Sequence, residues 1–97
     1  MIVEYIRYQI DHDRQAQFIA DYAAAADPLL ASPHALSFDI CQCVEAPDQF
    51  ILRIEWTSAE DHLQKFRKSA HFRDFFTHVK PYYDDILEMR HYQRHPA

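Results

Sequence analysis

Polar and apolar positions along this chain switch between two rhythms. Residues 2–10 (Ile-Val-Glu-Tyr-Ile-Arg-Tyr-Gln-Ile) come close to alternating and are rich in β-branched and aromatic types, which predicts a strand. The run Asp11-His12-Asp13 supplies capping carboxylates. From Arg14 to about Leu30 the apolar positions Phe18, Tyr22, Ala25 and Leu29 recur at helical spacing around an alanine run, until Ser32-Pro33 breaks the helix. Alternation returns over 35–45, with Leu36, Phe38, Ile40, Gln42 and Val44 expected on one face and Ser37, Asp39, Cys41, Cys43 and Glu45 on the other. Ala46-Pro47-Asp48-Gln49 has turn chemistry. Phe50 to Trp56 then alternates as a third strand, so that residues 36–56 read as a β-hairpin.

Thr57-x-x-Glu60 and Ser58-x-x-Asp61 are overlapping capping boxes, and they start a helix close to Ser58. A break near Lys68-Ser69 lets Ser69 cap a second helix that runs to about Val79 and is ended by Pro81. Residues 84–93 form a weaker fourth strand, and 94–97 a frayed tail. The order βαββαβ predicts an α+β, ferredoxin-like fold in one domain over 1–97: a four-stranded antiparallel sheet with helices on one face. The other face mixes Tyr5, Ile51, Cys41 and Cys43 with Arg7, Asp39, Arg53 and Glu55. It is too apolar for open solvent and too charged for a core, so a homodimer packed through this sheet face is expected.

Composition narrows the function. The chain has 97 residues, is 48% hydrophobic and carries a net charge of -5 with no long basic run. A folded domain that binds neither nucleic acid nor membrane is expected. With no apolar leader or membrane-length stretch, the expected location is cytoplasmic. There is no glycine at all, hence no glycine-rich phosphate cradle, and nucleotide cofactors are not expected. Cys41 and Cys43 lie two apart, a spacing unsuited to a disulfide within one strand, and are expected as packed thiols on a buried sheet face.

Candidate chemistry concentrates in one block. Three of the seven histidines (His62, His71, His78) and four of the seven phenylalanines (Phe66, Phe72, Phe75, Phe76) lie between Trp56 and His78. Imidazoles titrate near neutrality, and large rings supply flat apolar walls for an aromatic guest. His71 and, less strongly, His62 are the candidate catalytic residues. Trp56, Phe72 and Phe76, with Tyr8 and Tyr22 from the first strand and helix, are the candidate substrate-binding residues. The bland alternative for each ring is a core position. The histidines show no recognised ligand motif, so no metal is expected. The charged residues Glu4, Arg7, Asp39, Arg53 and Arg90 read as interface or rim pairs.

Several segments together resemble the antibiotic biosynthesis monooxygenase (ABM) family of the dimeric α/β-barrel superfamily. They are Met1-Ile2-Val3, Ser32-Pro33-His34-Ala35-Leu36-Ser37-Phe38, Pro47-Asp48-Gln49-Phe50, Glu55-Trp56 and Ser69-Ala70-His71-Phe72. His34 stands where many relatives have glycine, and Lys65-Phe66 where many have histidine. The resemblance implies oxygenation of a phenolic or quinol-type aromatic by O2 with no metal, flavin or haem. Haem-degrading members of the superfamily use an asparagine on the first strand, and this chain has none. The alternatives are a non-catalytic ligand-binding or accessory dimer on the same fold, or a cofactor-free isomerase or decarboxylase.

Overall fold

A computed structural model describes residues 2–96; Met1 of the opening strand and Ala97 of the tail lie outside the described residues. Four strands, β1 (Ile2–Gln9), β2 (Ala35–Gln42), β3 (Gln49–Trp56) and β4 (Ile86–Gln93), alternate with two helices, α1 (Gln15–Ala31) and α2 (Ala70–Val79). All pairings are antiparallel, in the order β2-β3-β1-β4. This is the expected ferredoxin-like fold.

The two rhythms do what period 2 and period 3.6 require. In β3, Phe50, Leu52, Ile54 and Trp56 are all buried. In β1, Glu4, Ile6 and Tyr8 share that inner face, opposite exposed Tyr5 and Arg7. Helix α1 covers the inner face with Phe18, Tyr22, Ala25 and Leu29, and α2 with Phe75 and Val79. The predicted caps form as well. Ser58 Oγ accepts from Asp61 N at 2.9 Å, and Ser69 Oγ accepts from Phe72 N at 3.3 Å. Between these caps the chain makes a wide π-helical turn over Asp61–Phe66, whose buried residues are His62 and Phe66. No helix of the described residues is long and apolar enough to cross a membrane.

Three expectations are corrected. The β2–β3 register shifts between Ala35 and Ser37, so Leu36 is an extra, exposed residue while Ala35, Phe38 and Ile40 face inward. Cys41 is exposed and Cys43 half-buried, because no element of this chain covers the outer sheet face. Asp39, Arg53 and Glu55 on that face also find partners within the chain. Arg53 pairs with Glu55 and, at 3.5 Å, with Asp39.

Candidate functional site

The inner sheet face and α2 do not close on each other completely. Between them lies a cavity of about 330 Å³, lined by residues of β1, β3, β4, the π-helical turn and both helices. Of the residues selected from sequence, Tyr8, Tyr22, Trp56, His62, Phe72 and Phe76 all line it. Phe72 and Phe76 stack on each other with centroids 5.4 Å apart, so they wall the space rather than fill it. His71 does not line the cavity, and neither does His78. The helical repeat explains why: Phe72, Phe75, Phe76 and Val79 define the cavity-facing stripe of α2, and His71 precedes Phe72 by about 100° of rotation. Both histidines sit half-buried on the flank of that stripe.

The decisive residue is Glu4, which does not belong to the rim or the interface. It is 1% exposed, on the cavity floor, because it shares the phase of Ile6 and Tyr8 in β1. Its Oε1 accepts a hydrogen bond from Trp56 Nε1 at 3.1 Å. Its Oε2 is buried with no hydrogen-bond partner. Burial drives the carboxyl from the usual 4.5 up to about 7, and the Trp56 bond and the positive charge of Arg67 offset only part of that rise. A carboxyl balanced between its two protonation states near neutrality, with one free oxygen, is well suited to exchange a proton with a guest.

Two imidazoles flank it. His62 stacks on Trp56 with centroids 4.2 Å apart and planes 10° from parallel, and its Nδ1 shares a hydrogen bond with His91 Nε2 at 2.6 Å. His91 reaches this point because β4 pairs with β1 in a register that sets it opposite Glu4. Burial holds the His62 ring down at about 3, helped by the charges of Arg67 and His91; burial and Arg67 lower His91 too. Although His62 Nε2 lies 3.7 Å from Glu4 Oε1 and His91 Nε2 lies 3.9 Å from Oε2, these contacts are not ion pairs. Glu4 is neutral below about pH 7 and His62 is neutral above about pH 3.

Glu4, His62 and His91 place three donor atoms within 4.8 Å of one another, a set that suits a divalent metal. The 2.6 Å between the two imidazole nitrogens is a hydrogen-bond separation, however. Two nitrogens about 2.1 Å from one ion at tetrahedral or octahedral angles stand farther apart. As arranged, the two imidazoles are a hydrogen-bonded pair standing beside the carboxyl group.

On the other side of the cavity the hydroxyls of Tyr8 and Tyr22 hydrogen-bond to each other. Burial pushes Tyr8 up to about 12, and Tyr22 rises well above its ordinary value for the same reason. Both therefore stay protonated as hydrogen-bond donors. Sequence reasoning missed Glu4, His91 and Arg67. For Glu4 the signal was present in its i, i+2, i+4 phase with Ile6 and Tyr8. For His91 it lay in the strand register, which one strand read alone does not reveal.

Comparison with known proteins places the chain and its fold. The family model described as "Antibiotic biosynthesis monooxygenase" matches residues 1–78. The uncharacterized protein YczJ of Bacillus subtilis (strain 168) is 22% identical over 93 residues, covering 96% of this chain and 98% of that one. The crystal structure of a provisionally named antibiotic biosynthesis monooxygenase from Bordetella bronchiseptica superposes with a TM-score of 0.81 at 23% identity, covering 98% of this chain and 97% of that chain. A conserved protein from Methanosarcina mazei Go1 gives 0.78 at 18% identity, covering 97% and 92%. At such identities the structural likeness speaks for the fold.

Proposed function

This chain belongs to the antibiotic biosynthesis monooxygenase family, and on that premise we propose that it oxygenates a phenolic or quinol-type aromatic with O2, using Glu4 as the proton acceptor. One observation carries the reading. A largely apolar, aromatic-walled cavity holds a buried carboxyl group with one oxygen fixed by Trp56 and the other unpartnered.

The guest ring lies among Trp56, Phe72 and Phe76, with its hydroxyl on Glu4 Oε2. Glu4 takes the phenolic proton as the ring becomes electron-rich enough to give one electron to triplet O2. The Tyr8–Tyr22 pair donates to the developing negative charge. Recombination of the two radicals forms a ring C–O bond and a peroxide. Glu4 returns its proton to the distal peroxide oxygen as the O–O bond breaks. The ring hydrogen is lost, a quinone remains, and the second oxygen atom leaves as water. The ring supplies all four electrons that O2 accepts, and the ring hydrogen leaves as the proton that completes the water, so atoms and charge balance with no further reductant. The apolar walls keep bulk water from quenching the radical pair.

The same proposal includes a homodimer through the outer sheet face, where Tyr5 (38% exposed) and Tyr92 (44% exposed) pack edge to face beside half-buried Ile51.

The test is oxygen uptake on a panel of naphthols and hydroquinones, with a chelator present, followed by ¹⁸O₂ labelling. One labelled oxygen in the quinone and loss of turnover in Glu4→Gln are expected, while His71→Ala retains activity. Tight binding of panel members without any enzyme-dependent uptake would reduce the protein to a ligand-binding dimer.

A further inference from the structure

We infer that the ligand of this cavity has two unlike ends, an aromatic hydroxyl that reaches Glu4 and an anionic group that Arg67 holds at the mouth. The inference rests on the reading of the cavity as a ligand site, and it names the class of molecule: a hydroxylated aromatic carboxylate or sulfonate.

Among the lining side chains only Glu4 and Arg67 bear a formal charge. They differ sharply in burial, since Glu4 is 1% exposed and Arg67 is exposed. Arg67 closes the π-helical turn, and its backbone N–H donates to His62 O at 3.1 Å, so the root of its side chain is fixed immediately after Phe66. Three other arginines hold carboxylates: Arg14 holds Asp85 at 2.9 Å, Arg53 holds Asp39 and Glu55, and Arg90 lies 3.6 Å from Glu88, while Arg7 and Arg73 do not line the cavity. Among the described residues Arg67 has no ion pair and no side-chain hydrogen bond. Its positive charge nevertheless acts on Glu4, His62 and His91 together.

An uncommitted guanidinium beside an apolar opening favours a planar oxyanion, which it can grip through two parallel N–H donors while its weakly hydrated face rests on rings. The cavity volume of about 330 Å³ lies at the lower end of ligand pockets and suits a compact guest of about two or three fused rings. A guest of that length spans floor to mouth and places its charge outside the apolar section.

Isothermal titration calorimetry with three probes measures this directly: 2-naphthol, 6-hydroxy-2-naphthoate with its groups at opposite ends, and 3-hydroxy-2-naphthoate with both at one end. At low ionic strength 6-hydroxy-2-naphthoate is expected to bind about tenfold more tightly than 2-naphthol, and 3-hydroxy-2-naphthoate is expected to gain nothing. Arg67→Gln, an exposed substitution that leaves the core intact, is expected to abolish the advantage, and added salt to shrink it. If 2-naphthol binds and the opposite-ended naphthoate gains nothing, or if Arg67→Gln keeps the gain, the anionic end is overturned while the oxygenation reading stands. If none of the three binds, the cavity is not a ligand site and both readings fall.

Discussion

Replacing Glu4 by glutamine is expected to make the protein inactive and, above neutral pH, more stable. Glutamine keeps the shape of the side chain and the carbonyl oxygen that accepts from Trp56 Nε1. It removes only the ability to ionise. In the wild type the carboxyl titrates at about 7 when folded and at an ordinary 4.5 when unfolded. Between those values the folded state binds the extra proton, so this group's contribution to stability falls as pH rises from 4.5 to about 7 and is level above. The interval corresponds to about 3 kcal/mol that an ionised, buried Glu4 costs the fold. Glu4→Gln therefore gains on wild type by about that amount as the pH climbs through this window.

His62 slopes the opposite way. Its folded midpoint of about 3 lies below the ordinary 6.5, so the unfolded chain binds more protons and stability is lost as pH falls below about 6.5. In the wild type the two slopes oppose each other between 4.5 and 6.5; in Glu4→Gln the His62 slope stands alone. Urea unfolding followed by the fluorescence of Trp56, the single tryptophan, reads both curves, with buffers spanning about pH 4.5 to 8.5. Any constant offset from the buried amide group leaves the pH dependence of the difference untouched. Two parallel stability curves would refute the burial-raised carboxyl. An active Glu4→Gln enzyme would refute its role as proton acceptor.

Three further outcomes follow from contacts already described. Trp56→Phe removes the donor that favours the ionised form of Glu4, so the pH midpoint of turnover should move upward; an unmoved midpoint means the 3.1 Å bond does not tune the carboxyl. Tyr22→Phe strips the buried Tyr8 hydroxyl of its partner and should cost about 1–3 kcal/mol. Adding Tyr8→Phe should cost less than the sum of the two single changes, and strict additivity in a double-mutant cycle would reject the coupling. Ile51→Glu sets a carboxylate in the middle of the outer sheet face and is expected to give a monomer in sedimentation velocity; a persisting dimer would place the interface elsewhere.

The legibility of this chain followed the range of the interactions involved. Elements specified locally were readable: the phase of Phe50 to Trp56, the caps at Ser58 and Ser69, and the stop at Pro81 each depend on a few neighbouring residues, and each forms. Leu36 was misplaced because a bulge is a property of two paired strands, and one strand read alone carries only its period. The same distinction divides the site. The rings were found because aromatic residues in phase with a core face point inward whatever their partners are. The charge of Glu4 suggests the rim, but phase decides direction and a buried carboxyl adjusts by holding its proton. His62 and His71, nine residues apart in one histidine-rich block, were separated by the wide π-helical turn, which directs His62 onto Trp56, and by the rotation of α2, which leaves His71 on the flank. His91 entered only through its pairing opposite Glu4 across β1 and β4. The sequence thus marked the walls of the cavity, whereas its chemistry arises where strands distant along the chain bring a carboxyl, two imidazoles and an indole N–H to one point.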